Sequence, residues 1–279
     1  MLSEISNMNS NTNTTPAALN LLNVFSRRSV VAMGFAALAG AAVLAAGLPV
    51  NAQAAERTVK IGTEGLYAPF SFRTAAGKLT GFDVEVAREA AKRAGVKLEF
   101  VAAPWDALIA ALDAKRVDAV FNQVVVNDTR KAKYALSSPY LEERGVVVVK
   151  EGTANPPSSF ENLKGRKVAG VPSANWVVAA ANAGAQILPV KEGAQAFSLV
   201  ATGRAEAAVN AESAFEAYKK AQPRAKLVVA AKSVDAERVA GLFRKDDAAL
   251  AEAFGKAIDS MKADGTITKF AEQFLQPKE

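Results

Sequence analysis

RVDAVFNQVVVNDTRKAKYALSSPY, residues Arg116–Tyr140, decides how this chain is read. A short apolar strand, Ala119–Phe121, runs into a polar loop, with Asn122 and Gln123 at the strand's end. Arg130 follows a few residues later, and the segment closes on Ser137-Ser138-Pro139-Tyr140. In α/β folds, ligands bind beyond the carboxyl ends of the strands. The stretch therefore predicts a cleft edge carrying one guanidinium, the group best suited to grip a carboxylate with two parallel hydrogen bonds.

Outward from this segment, strand and helix alternate. Thr58–Gly62 reads as a strand, and Gly81-Phe82-Asp83 leads into a helix, Val84–Ala94, that Gly95 stops. Leu98–Val101 is a second strand, Trp105–Ala114 a helix and Asp118–Phe121 the third strand. Such alternation means βαβ units and a mainly parallel sheet. Beyond the apolar run Gly145–Val149 the logic repeats. The strands are Lys167–Val171, Gln186–Val190 and Ala207–Val209, and the helices are Asn175–Ala183 and Ala194–Thr202. Lys226–Val229 and a return run, Val239–Phe243, precede helices at Ala248–Ala263 and Thr266–Phe274. AALDAKRVDAVFN (Ala110–Asn122) and SLVATGRAEAAVN (Ser198–Asn210) echo each other 88 residues apart. The echo predicts two related lobes, with Asn122 and Asn210 facing one cleft from opposite sides.

Composition narrows the chemistry. Half of the 279 residues are hydrophobic, enough for a large core, and there is no cysteine and no histidine. Disulfides, thiolate nucleophiles, Cys/His metal sites and histidine triads are thereby excluded. No metal or cofactor is expected. Residues 1–54 read as a targeting segment: Arg27-Arg28 precedes an Ala-rich apolar run, and Ala52-Gln53-Ala54 is a small-x-small cleavage pattern. The arginine pair reads as a twin-arginine signal, with an ordinary secretory signal as the alternative. The chain is expected to be a periplasmic monomer beginning near Ala55. That portion carries a formal charge of +5, since the segment before it holds Arg27, Arg28 and Glu4. No basic block with interleaved aromatics points to nucleic acid.

The opening segment resembles the binding loop of periplasmic amino-acid-binding proteins that serve ABC importers, and most of all their cystine-binding branch. IGTEGLYAPFSF (Ile61–Phe72), GKLTGFDVEVAREAAKRAG (Gly77–Gly95), FENLKGRKVAGV (Phe160–Val171) and MKADGTITKFAEQFL (Met261–Leu275) extend the resemblance over nearly all of the chain after the signal. It implies a two-lobed type II periplasmic binding protein fold, closing on ligand by hinge motion. The first lobe would comprise residues 55–147 and 237–279, and the second 148–236. Crossings are expected near Gly145–Lys150 and Lys232–Gly241. The partner implied is an ABC permease in the inner membrane.

The resemblance also implies a site. Arg130 would hold an α-carboxylate, while Tyr67 and Trp105 would wall the side chain. Asn122, Gln123 and Asn210 would face the cleft. Ser173, Asn175 and Trp176 would present a helix N-terminus suited to an anion. Three family positions differ. Val125 stands where Ser or Thr is usual, Ser173-Ala174 where Gly-Thr is usual, and Ala211 where an Asp usually pairs with the α-ammonium. A buried ammonium without a carboxylate partner is costly by several kcal/mol. Either Glu212, Glu64 or Asn210 replaces that Asp, or the ligand lacks an α-ammonium. Asp83 and Asp106 read as helix N-terminal acids. The competing function is a periplasmic enzyme of cyclohexadienyl-dehydratase type on the same fold, for which a cleft Glu of raised pKa, Glu64 or Glu212, would be the mark.

Overall fold

The computed structural model describes residues 57–276. The arginine pair and the expected cleavage site therefore lie outside the described residues.

The chain begins with β1 (Thr58–Thr63) and a small antiparallel sheet of β2 (Leu66–Tyr67), β3 (Ser71–Arg73) and β4 (Leu79–Thr80). Then come α1 (Phe82–Arg93), β5 (Lys97–Ala102), α2 (Trp105–Asp113), β6 (Ala119–Val120), α3 (Asp128–Lys133) and β7 (Tyr134–Leu136). β8 (Leu141–Glu143) leads to β9 (Gly145–Lys150), β10 (Lys167–Gly170), α4 (Asn175–Asn182) and β11 (Gln186–Pro189). α5 (Gly193–Ala201), β12 (Ala207–Ala211), α6 (Glu212–Ala221) and β13 (Leu227–Lys232) follow. β14 (Glu237–Val239), β15 (Leu242–Arg244), α7 (Ala248–Ala263) and α8 (Thr266–Phe274) complete the described chain.

Two five-stranded sheets result, ordered β5-β1-β6-β15-β7 and β11-β10-β12-β9-β13. Their orders correspond place by place. In each, three parallel strands are followed by one antiparallel strand, β15 or β9, and a fifth strand that pairs antiparallel with it. The echoing segments hold matching places, as α2–β6 and α5–β12. β8 and β14 pair as a two-stranded antiparallel ribbon outside both sheets.

Local chemistry explains the elements. α1 buries Phe82, Val86 and Ala90 on one stripe at helical spacing, with Ala87 and Ala91 beside it. It starts at Gly81, whose φ of 127° and contact with the Phe70 carbonyl leave no space for a Cβ. In β9, Val147 and Val149 pack into one core while Val146 and Val148 pack into another. A strand apolar on both faces belongs inside a sheet covered on both sides. β9 accordingly pairs with β12 and β13 along its whole length. The boundary expected at 147/148 therefore falls inside a second-sheet strand. The first crossing is β8, just before the valine run, rather than Gly145–Lys150. The second is β14, which pairs with β8. The first core is held by rings: Phe121 stacks on Tyr140 at 5.7 Å and meets Phe243 edge-on at 6.0 Å.

Candidate functional site

The carboxyl ends of β1, β6, β10 and β12 converge on one cavity between the two sheets. Glu64, Tyr67, Trp105, Asn122, Gln123, Val125 and Arg130 line it from the first lobe. Gly170, Val171, Ala174, Asn175, Trp176, Gly193, Val209 and Asn210 are among those that line it from the second. Ser173 and Glu212, expected at the cleft, are not in it.

Asn122 and Glu64 form a closed clamp. The Glu64 N–H donates to Asn122 Oδ1 at 2.8 Å, and Asn122 Nδ2 donates back to Glu64 Oε2 at 2.6 Å. Burial pushes the Glu64 carboxyl up to about 7, against the Asn122 hydrogen bond and with the added charge of Glu192. Removal of solvent disfavours the ionised form, and here it outweighs the donors from the Asn122 side chain and the Trp105 backbone.

Gln123 adopts φ 51°, a left-handed conformation that few residues other than glycine take up. Asp83 holds it there: Asp83 Oδ2 accepts the Gln123 N–H at 2.6 Å, and Oδ1 accepts Gln123 Nε2 at 3.1 Å. Asp83 is thus a buried anchor of the binding loop as well as a first-turn helix acid. Burial raises its carboxyl to about 7. Such strain at a cleft residue is retained only where the surroundings enforce it.

Arg130 lies on α3, whose N-terminus is capped by the Asn127 side chain accepting the Arg130 N–H at 2.8 Å. Its Nη1 donates to the Val125 carbonyl at 2.7 Å, and the guanidinium sits 5.4 Å from the centre of the Trp105 ring. Backbone and ring together fix the fork, and burial pulls its pKa down. Its other donors have no carboxylate partner among the described residues. They remain free for a planar anion.

Tyr67 and Asn210 meet across the cleft, the Tyr67 hydroxyl donating to Asn210 Oδ1 at 2.7 Å. The same oxygen accepts the Ala211 N–H at 2.8 Å, which sets the amide's orientation. Gly193 makes room for it, since a Cβ there would lie 2.4 Å from Asn210 Nδ2. Trp176 is a buried wall whose indole edge lies flat on Gly145. Ser173 is exposed on the rim, where its hydroxyl donates to Asp106 across the lobes. Glu212 opens α6 on the outside and pairs with Lys232. The one-residue shift from position 211 turns it away from the cleft. Ala211 itself is fully buried.

Glu237, which the motifs did not point to, lies near this site without lining the cavity. It lies on β14 against Asn175 and within reach of the Arg130 charge. No sequence pattern marks it, because its position follows from the pairing of β14 with β8.

Residues 59–277 match the family of bacterial extracellular solute-binding proteins, family 3, and the chain belongs to that family. A probable amino-acid ABC transporter-binding protein of Haemophilus influenzae is 42% identical over 215 residues, covering 77% of this chain and 83% of that one. An L-cystine-binding protein of Bacillus subtilis is 36% identical over 216 residues, covering 77% and 80%. Among solved structures, an ancestral arginine-binding protein bound to arginine superposes with a TM-score of 0.73 at 33% identity. That match covers 79% of this chain and all of that one. The fold is the two-lobed type II periplasmic binding protein fold.

Proposed function

We propose that this protein is the periplasmic receptor of an ABC importer and captures an amino acid, or a close carboxylate-bearing relative, in the cleft between its lobes. Arg130 carries the reading. It is a partly buried guanidinium, fixed by the Val125 carbonyl and the Trp105 ring, and it faces a cavity of mostly apolar walls. A ligand carboxylate would complete its hydrogen bonds, and closure would then keep water from the pair. Tyr67, Trp105 and Trp176 would wall the rest of the ligand. The names of the relatives support an amino acid, with cystine as one precedent. The closed monomer would then be presented to its permease.

The test is thermal unfolding of ligand-stripped protein against the L-amino acids, L-cystine and their deaminated analogues. A ligand at about a hundred times its dissociation constant should stabilise by roughly 2.7 kcal/mol. That corresponds to about 5–10 °C for a chain of this size. Arg130→Ala should abolish the shift. A full shift with Arg130→Ala, or none with any carboxylate in the wild type, would sink the reading.

A second reading has one observation in its favour. Glu64 is a cleft carboxyl raised to about 7, the property of a general acid. Loss of water from a cyclohexadienyl substrate would be followed by the rise of aromatic absorbance. A rate that disappears in Glu64→Gln would support it, and a flat trace would leave the receptor alone.

A further inference from the structure

Ser173 and Asp106 belong to different lobes, and neither lines the cavity. Ser173 is the third residue of a tight turn, Val171–Ala174, closed by the Ala174 N–H donating to the Val171 carbonyl at 2.9 Å. Pro172 at the turn's second position presets the backbone, so Ser173 is presented from the end of β10 on a fixed support. Asp106 stands in the first turn of α2, next to Trp105 of the cavity wall. The Ser173 hydroxyl donates to Asp106 Oδ1 across the rim. A carboxylate acceptor makes this a charge-assisted bond. Val171, on the same turn, packs against the core cluster that contains Trp105, so the turn also makes an apolar contact with the first lobe. The Tyr67–Asn210 bond joins other elements, β2 and β12. Both bonds run from protein group to protein group, and they tie the lobes together at two separate places around one cavity.

We infer that the Ser173–Asp106 bond is a rim latch: it holds the lobes together from outside the cavity and slows the escape of an amino acid enclosed there. Its effect on escape rests on the amino-acid reading above, and its hold on the lobes does not. The placement separates this role from ligand contact. Both residues are exposed and outside the cavity lining, so losing their bond removes no wall of the site. It lowers the fraction of molecules that are closed, and the apparent affinity falls by the same factor. Ser173 thereby sets how long the cleft stays shut, without touching what it encloses.

The chain has no cysteine, so one placed in each lobe can be spin-labelled without interference. Lys92→Cys on α1 and Arg204→Cys beyond α5 are exposed sites. Pulsed electron paramagnetic resonance between the two labels, on protein stripped of bound solute, reads the closed and open populations. Ser173→Ala removes the donor and leaves every charge in place. It should move the closed-to-open ratio about 5-fold toward open, the worth of one net hydrogen bond. Asp106→Ala should do the same, and the double variant should be no more open than either single, because both remove one bond. Stopped-flow release of L-cystine, L-arginine or L-glutamine, whichever the wild type binds, should be about 5-fold faster in Ser173→Ala, with association within 2-fold. Identical distance distributions in wild type and Ser173→Ala overturn the inference. So does a double variant in which the two effects simply add, or an unchanged release rate. The amino-acid reading is judged separately, on the wild type alone: if it binds no amino acid, that reading fails, while the distances still decide whether the latch holds the lobes.

Discussion

Tyr67 and Asn210 belong to different lobes and are joined by a 2.7 Å hydrogen bond across the cleft. Because Asn210 is also held by the Ala211 N–H, the bond meets a preset acceptor. A hydrogen bond of this kind is worth about 1 kcal/mol net. Tyr67→Phe keeps the aromatic wall and deletes only the latch. Its affinity for ligand should fall about 5-fold, and small-angle scattering should show a more open unliganded form. Identical affinity and scattering profiles would show that the latch contributes nothing to closure.

Glu64 gives stability a pH dependence. Its carboxyl titrates near 4.5 when solvated and at about 7 in the folded protein. Between those values the folded chain holds a proton that the unfolded chain has lost. Stability therefore falls as pH rises through this window and levels off above it. Glu64→Gln keeps an acceptor for Asn122 and carries no charge. It should be more stable than wild type at pH 8 by up to about 3 kcal/mol, and the advantage should vanish below pH 4. Urea unfolding at the two pH values reads this directly, and a pH-independent difference would contradict it.

Gly145 is a packing position of the site. A Cβ there would lie 2.2 Å from Trp176 Cδ1, an atom of a rigid ring in the cavity wall. Gly145→Ala must displace the indole, with an expected loss of about 1–3 kcal/mol of stability and weakened ligand binding. A variant that melts and binds like wild type would show that Trp176 moves freely.

Glu212 provides the contrast. It pairs with Lys232 on the outer surface, and ion pairs of this kind contribute about 0–1 kcal/mol. Glu212→Ala should bind ligand within 2-fold of wild type. A large loss would mean that the α6 N-terminus turns into the cleft when ligand arrives.

Features carried by local motifs were legible before the structure. Asn122 follows the end of β6, Arg130 lies on α3 beyond that end and Tyr67 on β2 just beyond β1, and strand ends face the cleft in this architecture, so position could be read from order. Trp105 and Trp176 open helices after strands and could be placed in the same way. What could not be read depended on register or on partners far away in sequence. Glu212 differs from the expected acid position by one residue, and one residue at a helix start redirects the side chain. Within Gly145–Lys150 a run of valines signals burial without saying which sheet supplies it. α6 carries Ala214, Phe215 and Tyr218 at helical spacing, but its polar face dominates the composition and hides it. The role of Asp83 depends on its hydrogen bonds to Gln123, 40 positions away, which no local pattern encodes.

The two crossings between lobes also set an order of assembly. Every strand of the second sheet lies between Gly145 and Lys232, so that lobe is complete as soon as this stretch has emerged. The first sheet lacks its fourth strand until Leu242–Arg244 arrives to fill the place between β6 and β7. A chain folding from its N-terminus onward would finish its second lobe before its first. A truncation ahead of residue 242 would leave the earlier-made lobe with an open sheet and the later-made lobe whole.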